Sequence, residues 1–185
     1  MRSLIHSRFD FSEMARRSLG SHWKSLSRDE QREFVEVFTG LLEGTYTATI
    51  ESYSSEKILY KRETREENYA QVDTRLITKR GEEVSINYRL HLFDGEWKVY
   101  DVVIENISLI NNYRSQFSRV LADSPFDELL RRMRDKQSRV SQMKPAAMKK
   151  FVLLRKGTLD NSRPLILASL INSSNERQLF PRPAR

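Results

Sequence analysis

The groups able to do chemistry in this chain are few. His6, His22 and His91 are the only imidazoles among 185 residues, and none stands at the spacing a nucleophile or metal site requires. His22 precedes Trp23 in a helix-end loop, and His91 falls on the polar side of a strand, so structural or surface roles are the plainer reading. Asp73 and Asp101 lie in strand-like segments, where a carboxylate beside a tyrosine can act as general base with a hydrogen-bond donor. Hydrogen bonding to a loop or an arginine is the simpler role for both. There is no cysteine, which removes disulfides, thiolate metal sites and a thiol nucleophile. None of the six glycines forms G-x-G-x-x-G or precedes Lys-Ser/Thr, so no cofactor and no metal site is expected. The run Arg131 to Arg139 can meet phosphate, yet with Asp127, Glu128 and Asp135 it reads as a solvated helix face.

Composition narrows the class further. Hydrophobic residues make up 38% and aromatics 10%, enough for one globular domain with a core. The longest apolar stretch, Leu165 to Leu170, falls far short of the roughly 20 residues that cross a bilayer. The formal charge of +7 is uneven: 10 of the 32 Lys and Arg but only 2 of the 25 Asp and Glu lie from Ser138 onward, so 22 basic and 23 acidic residues precede it. A near-neutral body with a basic tail lacks the charged face of a dedicated nucleic-acid module. Residues 1–137 therefore read as the folded domain, and 138–185 as a basic, poorly ordered extension interrupted by Pro145, Pro164, Pro181 and Pro183.

The elements that must position any site follow from periodicity. Asp10 as N-cap, Glu13 reaching back to it, and Phe9 against Met14 predict a helix that ends near Gly20. Ser27 and Glu30 form a second capping box. It opens a long helix with Phe34, Val37, Phe38, Leu41, Leu42, Thr45, Tyr46, Thr49, Ile50 and Tyr53 on one face. Gly40 and Gly44 on that helix mark close packing or a bend. From Glu56 the period changes to 2, and Lys57–Arg62, Tyr69–Thr78, Val84–Phe93 and Trp97–Ile104 read as four strands, with Arg80-Gly81 and Asp94-Gly95 at turns. Val84, Ile86, Tyr88, Leu90 and Leu92 share one face; Asn87, Arg89 and His91 share the other, which is expected to be wet. Ile107–Leu121 and a segment starting at Ser124-Pro125 predict two further helices. The fold class is α+β: a four-stranded antiparallel meander packed against a long helix and C-terminal helices.

The stretch Arg8-Phe9-Asp10-Phe11-Ser12-Glu13-Met14-Ala15, then Leu19-Gly20, Trp23, Glu33-Phe34-Val35, and above all 95–109, Gly-Glu-Trp-Lys-Val-Tyr-Asp-Val-Val-Ile-Glu-Asn-Ile-Ser-Leu, resembles the MlaC family of toluene-tolerance and phospholipid-binding proteins. The resemblance covers roughly Leu4 to Lys136. It implies a sheet and helices that enclose an apolar cavity for the acyl tails of a phospholipid, in a periplasmic shuttle that is not an enzyme. The implied partners are an inner-membrane ABC transporter complex with its substrate-binding ring and an outer-membrane lipoprotein/porin complex. The residues expected to line the cavity are Leu41, Leu42, Tyr46, Ile50, Tyr88, Leu90, Val99, Val103, Ile107, Ile110, Tyr113 and Phe117. Asp101 is expected to belong to the framework, tying sheet to helix.

Members that this chain resembles begin with an export signal and a helical segment before the Arg-Phe-Asp-Phe stretch, whereas Met1 stands only a few residues ahead of it. The expectation is an N-terminally truncated version in which the apolar face of Phe34 to Tyr53 is partly exposed. The alternative function, on a similar α+β frame, is an enzyme of the ketosteroid-isomerase type that uses Asp73 or Asp101 with a tyrosine. A carboxylate inside the pocket separates it from a carrier.

Overall fold

The structure, a computed structural model, describes residues 2–51, 57–78 and 81–142. Helices α1 (Arg2–Arg8) and α2 (Phe11–Leu19), a 3-10 turn (Gly20–Ser25) and the long α3 (Arg28–Glu51) precede the sheet. Strands β1 (Lys57–Glu66), β2 (Tyr69–Ile77), β3 (Glu83–Phe93), β4 (Glu96–Ile104) and β5 (Ile107–Ser108) follow, then α4 (Leu109–Asp123) and α5 (Phe126–Gln142). The sheet is an antiparallel meander in the order β1-β2-β3-β4-β5. The expected four strands are thus joined by a fifth of two residues, because Glu105 and Asn106 both take positive φ (47° and 67°) and fold the chain back onto β4. Asp94 and Gly95 make the anticipated hairpin turn the same way, at φ 53° and 79°. Arg80 of the other turn lies outside the described residues, as do Tyr53 and everything from Met143 on.

Both predicted helix starts form, with one change of partner. At Ser27 the reciprocal box closes: the Ser27 N–H donates to Glu30 at 2.7 Å and the Glu30 N–H to Ser27 Oγ at 3.3 Å. At Asp10 only half of it forms, the Glu13 N–H donating to Asp10 Oδ1 at 2.8 Å. The Asp10 N–H donates instead to the Val99 carbonyl at 2.9 Å, and Phe9 pairs in parallel with Val99. Glu13 is thereby left to accept from Arg16 and Arg17 at 2.6 Å. Tertiary pairing with β4 has displaced a local cap.

As far as Tyr46, where the described side chains of the α3 face end, that face is covered and not exposed: Phe34, Val37, Phe38, Leu41, Leu42 and Tyr46 are buried. Phe34 stacks on Phe38 with ring centroids 5.7 Å apart, and Phe38 meets Tyr113 and Phe117 of α4 edge-on at 5.2 and 5.9 Å. At Gly40 the helix packs closely, since a β-carbon there would meet the side-chain amide of Gln137 of α5. The wet-face reading of His91 is corrected: its side chain is 14% exposed, and Nε2 lies 3.0 Å from Asp10 Oδ2, because the start of α2 folds over that end of the sheet.

Asp101 ties sheet to helix as expected. It is 3% exposed on β4 and accepts from Ser108 Oγ at 2.6 Å, from the Ile110 N–H at 3.1 Å and from Arg89 Nη1 at 3.2 Å. Ser108 in turn caps α4 by accepting from the Asn111 N–H at 3.0 Å. Asp101→Ala orphans a buried amide and a hydroxyl and is expected to cost about 3 kcal/mol, read as a lowered urea midpoint. Asp101→Asn keeps an acceptor and is expected to lose less.

Candidate functional site

The candidate site is the apolar face of the sheet with the helices that cover it. Strand alternation sends Val72 and Leu76 of β2 and Val84, Ile86, Tyr88 and Leu90 of β3 to one side, each 2% exposed or less. In the register Val72 lies beside Tyr88, and Leu90 beside Val99 of β4. Leu41, Leu42, Tyr46, Tyr88, Leu90, Val99, Ile110, Tyr113 and Phe117, all anticipated from the sequence, come together in this one cluster. The Ile50 side chain lies outside the described residues.

Two anticipated lining residues do not join them. A bulge in β4 shifts the register between Arg89 and Leu90, so that Tyr88 faces Val102 while Val103 pairs with Asn87 and Ser108. Val102 enters the cluster and Val103, though buried, does not. An extra residue in a period-2 pattern moves every later side chain to the opposite face, and nothing in the run Tyr100-Asp101-Val102-Val103-Ile104 marks where it falls. Ile107 is 45% exposed, since it belongs to β5 and not to the helix assigned to it. Val72 and Leu76 were legible in the alternation of β2, whereas Val102 was not.

Among the described residues the polar groups inside are few and hydrogen-bonded, with one exception. Thr74 Oγ1 donates to the Ile86 carbonyl at 3.0 Å. Tyr46 and Tyr113 share a hydrogen bond between α3 and α4. Burial pushes Tyr46 up to about 12 against the opposing pull of that bond, and burial together with Tyr46 holds Tyr113 well above 10. The indole Nε1 of buried Trp97 has no hydrogen-bond partner among the described residues, and Arg65 lies over its ring at 4.9 Å. Neither candidate carboxylate faces this interior. Asp73 sits beside Asn87 on the other side of the sheet, where it accepts from Arg62 at 3.1 Å and Gln71 at 2.8 Å, and Asp101 is committed to α4.

A cleft of about 810 Å³ opens between α1, α2 and α3 at the edge of this cluster. Phe9, Phe11, Trp23 and Val35 line it, with His6 bonded to Glu43 at 2.6 Å and His91 to Asp10 at its walls. His22 takes no part. No cluster of three metal-ligating side chains occurs among the described residues, and none of their helices is long and apolar enough to cross a membrane.

The family model described as MlaC protein matches residues 1–135, and the chain belongs to that family. It is 28% identical over 125 residues to the intermembrane phospholipid transport system binding protein MlaC of Haemophilus influenzae, a match covering 65% of this chain and 58% of that protein. The chain thus spans little more than half the length of that curated relative. Its fold is similar to that of the phospholipid-binding protein from Ralstonia solanacearum, solved in complex with a phospholipid, at a TM-score of 0.67 and 22% identity over 74% of this chain and 77% of that one.

The buried tyrosine pair has a pH signature. Folded-state pKa values raised above 10 mean that the unfolded chain releases protons which the folded chain retains. Stability from this pair is therefore fully present below pH 10 and is expected to fall from pH 10 to about 12. Tyr46→Phe is expected to cost about 1 kcal/mol at neutral pH and to flatten that alkaline fall, as urea midpoints across the range will report.

Proposed function

We propose that this chain binds a phospholipid by its acyl chains between the core face of the sheet and helices α3 and α4. It would carry the lipid through the periplasm between an inner-membrane ABC transporter complex with its substrate-binding ring and an outer-membrane lipoprotein/porin complex. The observation that carries this reading is the chemistry of the sheet's core face: an apolar cluster into which, among the described residues, neither Asp73 nor Asp101 is directed, so that affinity comes from area and no bond is made or broken. Each methylene withdrawn from water is worth about 0.8 kcal/mol, so exposing two chains of ordinary length costs on the order of 20 kcal/mol, and a carrier is needed to cross water.

Family membership and the lipid-bound neighbour support the reading. In this reading α3, which packs chiefly on α5 and α2, is the element that parts from the sheet around the ligand. The unpartnered Trp97 N–H offers a donor to an ester oxygen. Residues 1–137 form the lipid-binding unit in this reading, and 138–185 a basic appendage.

The test is mass spectrometry of the intact protein under native conditions, with extraction of whatever co-purifies. About one phospholipid per chain is expected, lost in Leu90→Asp and in the space-filling Leu42→Trp, with circular dichroism confirming that at least one variant folds. A folded wild-type preparation that holds no phospholipid and takes none up from vesicles would sink the proposal. Activity of a ketosteroid-isomerase kind, lost with Asp73→Asn, would point to the enzyme instead.

A further inference from the structure

Where the end of α2 and the 3-10 turn meet α4, a pocket of about 530 Å³ is lined by Arg16, Arg17, Lys24, Arg114, Ser21 and Ser118, with Leu19 and Gly20. Four cationic side chains and two hydroxyls face one space, and no carboxylate is among the lining residues. Glu13 lies beside it and accepts from Arg16 and Arg17, neutralising one charge of the four. Lys24 and Arg114 have no carboxylate partner among the described residues. The concentration is local, because the body before Ser138 carries 22 basic and 23 acidic residues.

The arrangement is also held in place. The Arg17 guanidinium lies 4.0 Å from the Tyr100 ring centroid, and Arg114 Nε donates to the Arg17 carbonyl at 2.9 Å from 97 positions further along the chain. Gly20, at φ 59°, permits that approach, since a β-carbon there would stand 3.3 Å from Arg114 Nε. Basic residues near a helix C-terminus complement its dipole, which accounts for Arg16 and Arg17 on α2. It does not account for Lys24 in the turn or for Arg114 and Ser118 on α4.

Fixed guanidiniums, a flexible ammonium and hydroxyl donors around a half-enclosed space match the oxygens of a phosphate group, whose charge relieves the repulsion among them. The space exceeds a bare phosphate ion and has room for a small polar substituent. We propose that this pocket binds the phosphate of a small phosphate ester, either free in solution or presented as the headgroup of an anionic phospholipid. Of its lining residues only Leu19 belongs to the apolar cluster, and the proposal does not rest on the acyl-chain reading.

The test is an amide-resolved NMR titration of the full chain with inorganic phosphate and glycerol phosphate, against sodium chloride at matched ionic strength, and then with phosphatidylglycerol and phosphatidylcholine vesicles. Saturable shifts are expected at Gly20, Ser21, Lys24 and Ser118. The exposed substitutions Lys24→Glu and Ser118→Glu are each expected to weaken binding about 10-fold or more, while Lys61→Glu on β1 leaves it unchanged. Saturation by the free phosphates identifies a soluble ligand. A response confined to phosphatidylglycerol vesicles and abolished by the same two variants identifies a headgroup. No saturable response to any probe, or equal weakening by Lys61→Glu, overturns the site.

Discussion

A single buried carboxylate organises the second half of this protein. Asp101 leaves the sheet at the bulge of β4 and gathers the Ser108 hydroxyl, the Ile110 amide and the Arg89 guanidinium, so it fixes where β5 ends and α4 begins. A charge at 3% exposure is tolerable only with all of these donors, and its position at the first turn of α4 is favoured by the helix dipole. The direction of α4 follows, and with it the placement of Tyr113 and Phe117 against Phe38. A residue spent in this way is unavailable as a general base.

The two faces of the sheet divide the labour. Polar partners collect on one face and at the end of β4: Asp73 with Arg62, His91 with Asp10, and Tyr100 under Arg17. Among the described residues the other face keeps only Thr74, the Tyr46–Tyr113 pair and the Trp97 indole among aliphatic and aromatic side chains. An interior of that kind recognises area and shape. It suits a hydrocarbon ligand and offers little to discriminate between headgroups, whereas cationic groups that could do so stand elsewhere, at the junction of α2 and α4.

Close-range features were legible in the sequence. The Ser27 box, the α3 face as far as Tyr46, the Asp94-Gly95 turn and the alternation of β3 depend on residues a few positions apart, and the structure contains them. Most of the apolar cluster follows from these patterns, because a residue on the greasy side of an amphipathic element has only the core to enter.

What the tertiary structure alone decided are contacts between residues far apart. Val99 took the Asp10 amide and so redirected Glu13 to two arginines; α2 covered His91; and Gln137 of α5 filled the space that Gly40 leaves. The bulge at Tyr100 exchanged Val103 for Val102, and the paired positive φ at Glu105 and Asn106 turned Ile107 out of α4 into an exposed strand. Each outcome depends on a partner that local spacing does not encode. The sequence by itself therefore determined the kinds of element, their order and which faces are apolar, while register, cap exchange and the gathering of Arg114 beside Arg17 awaited the packing of one element on another.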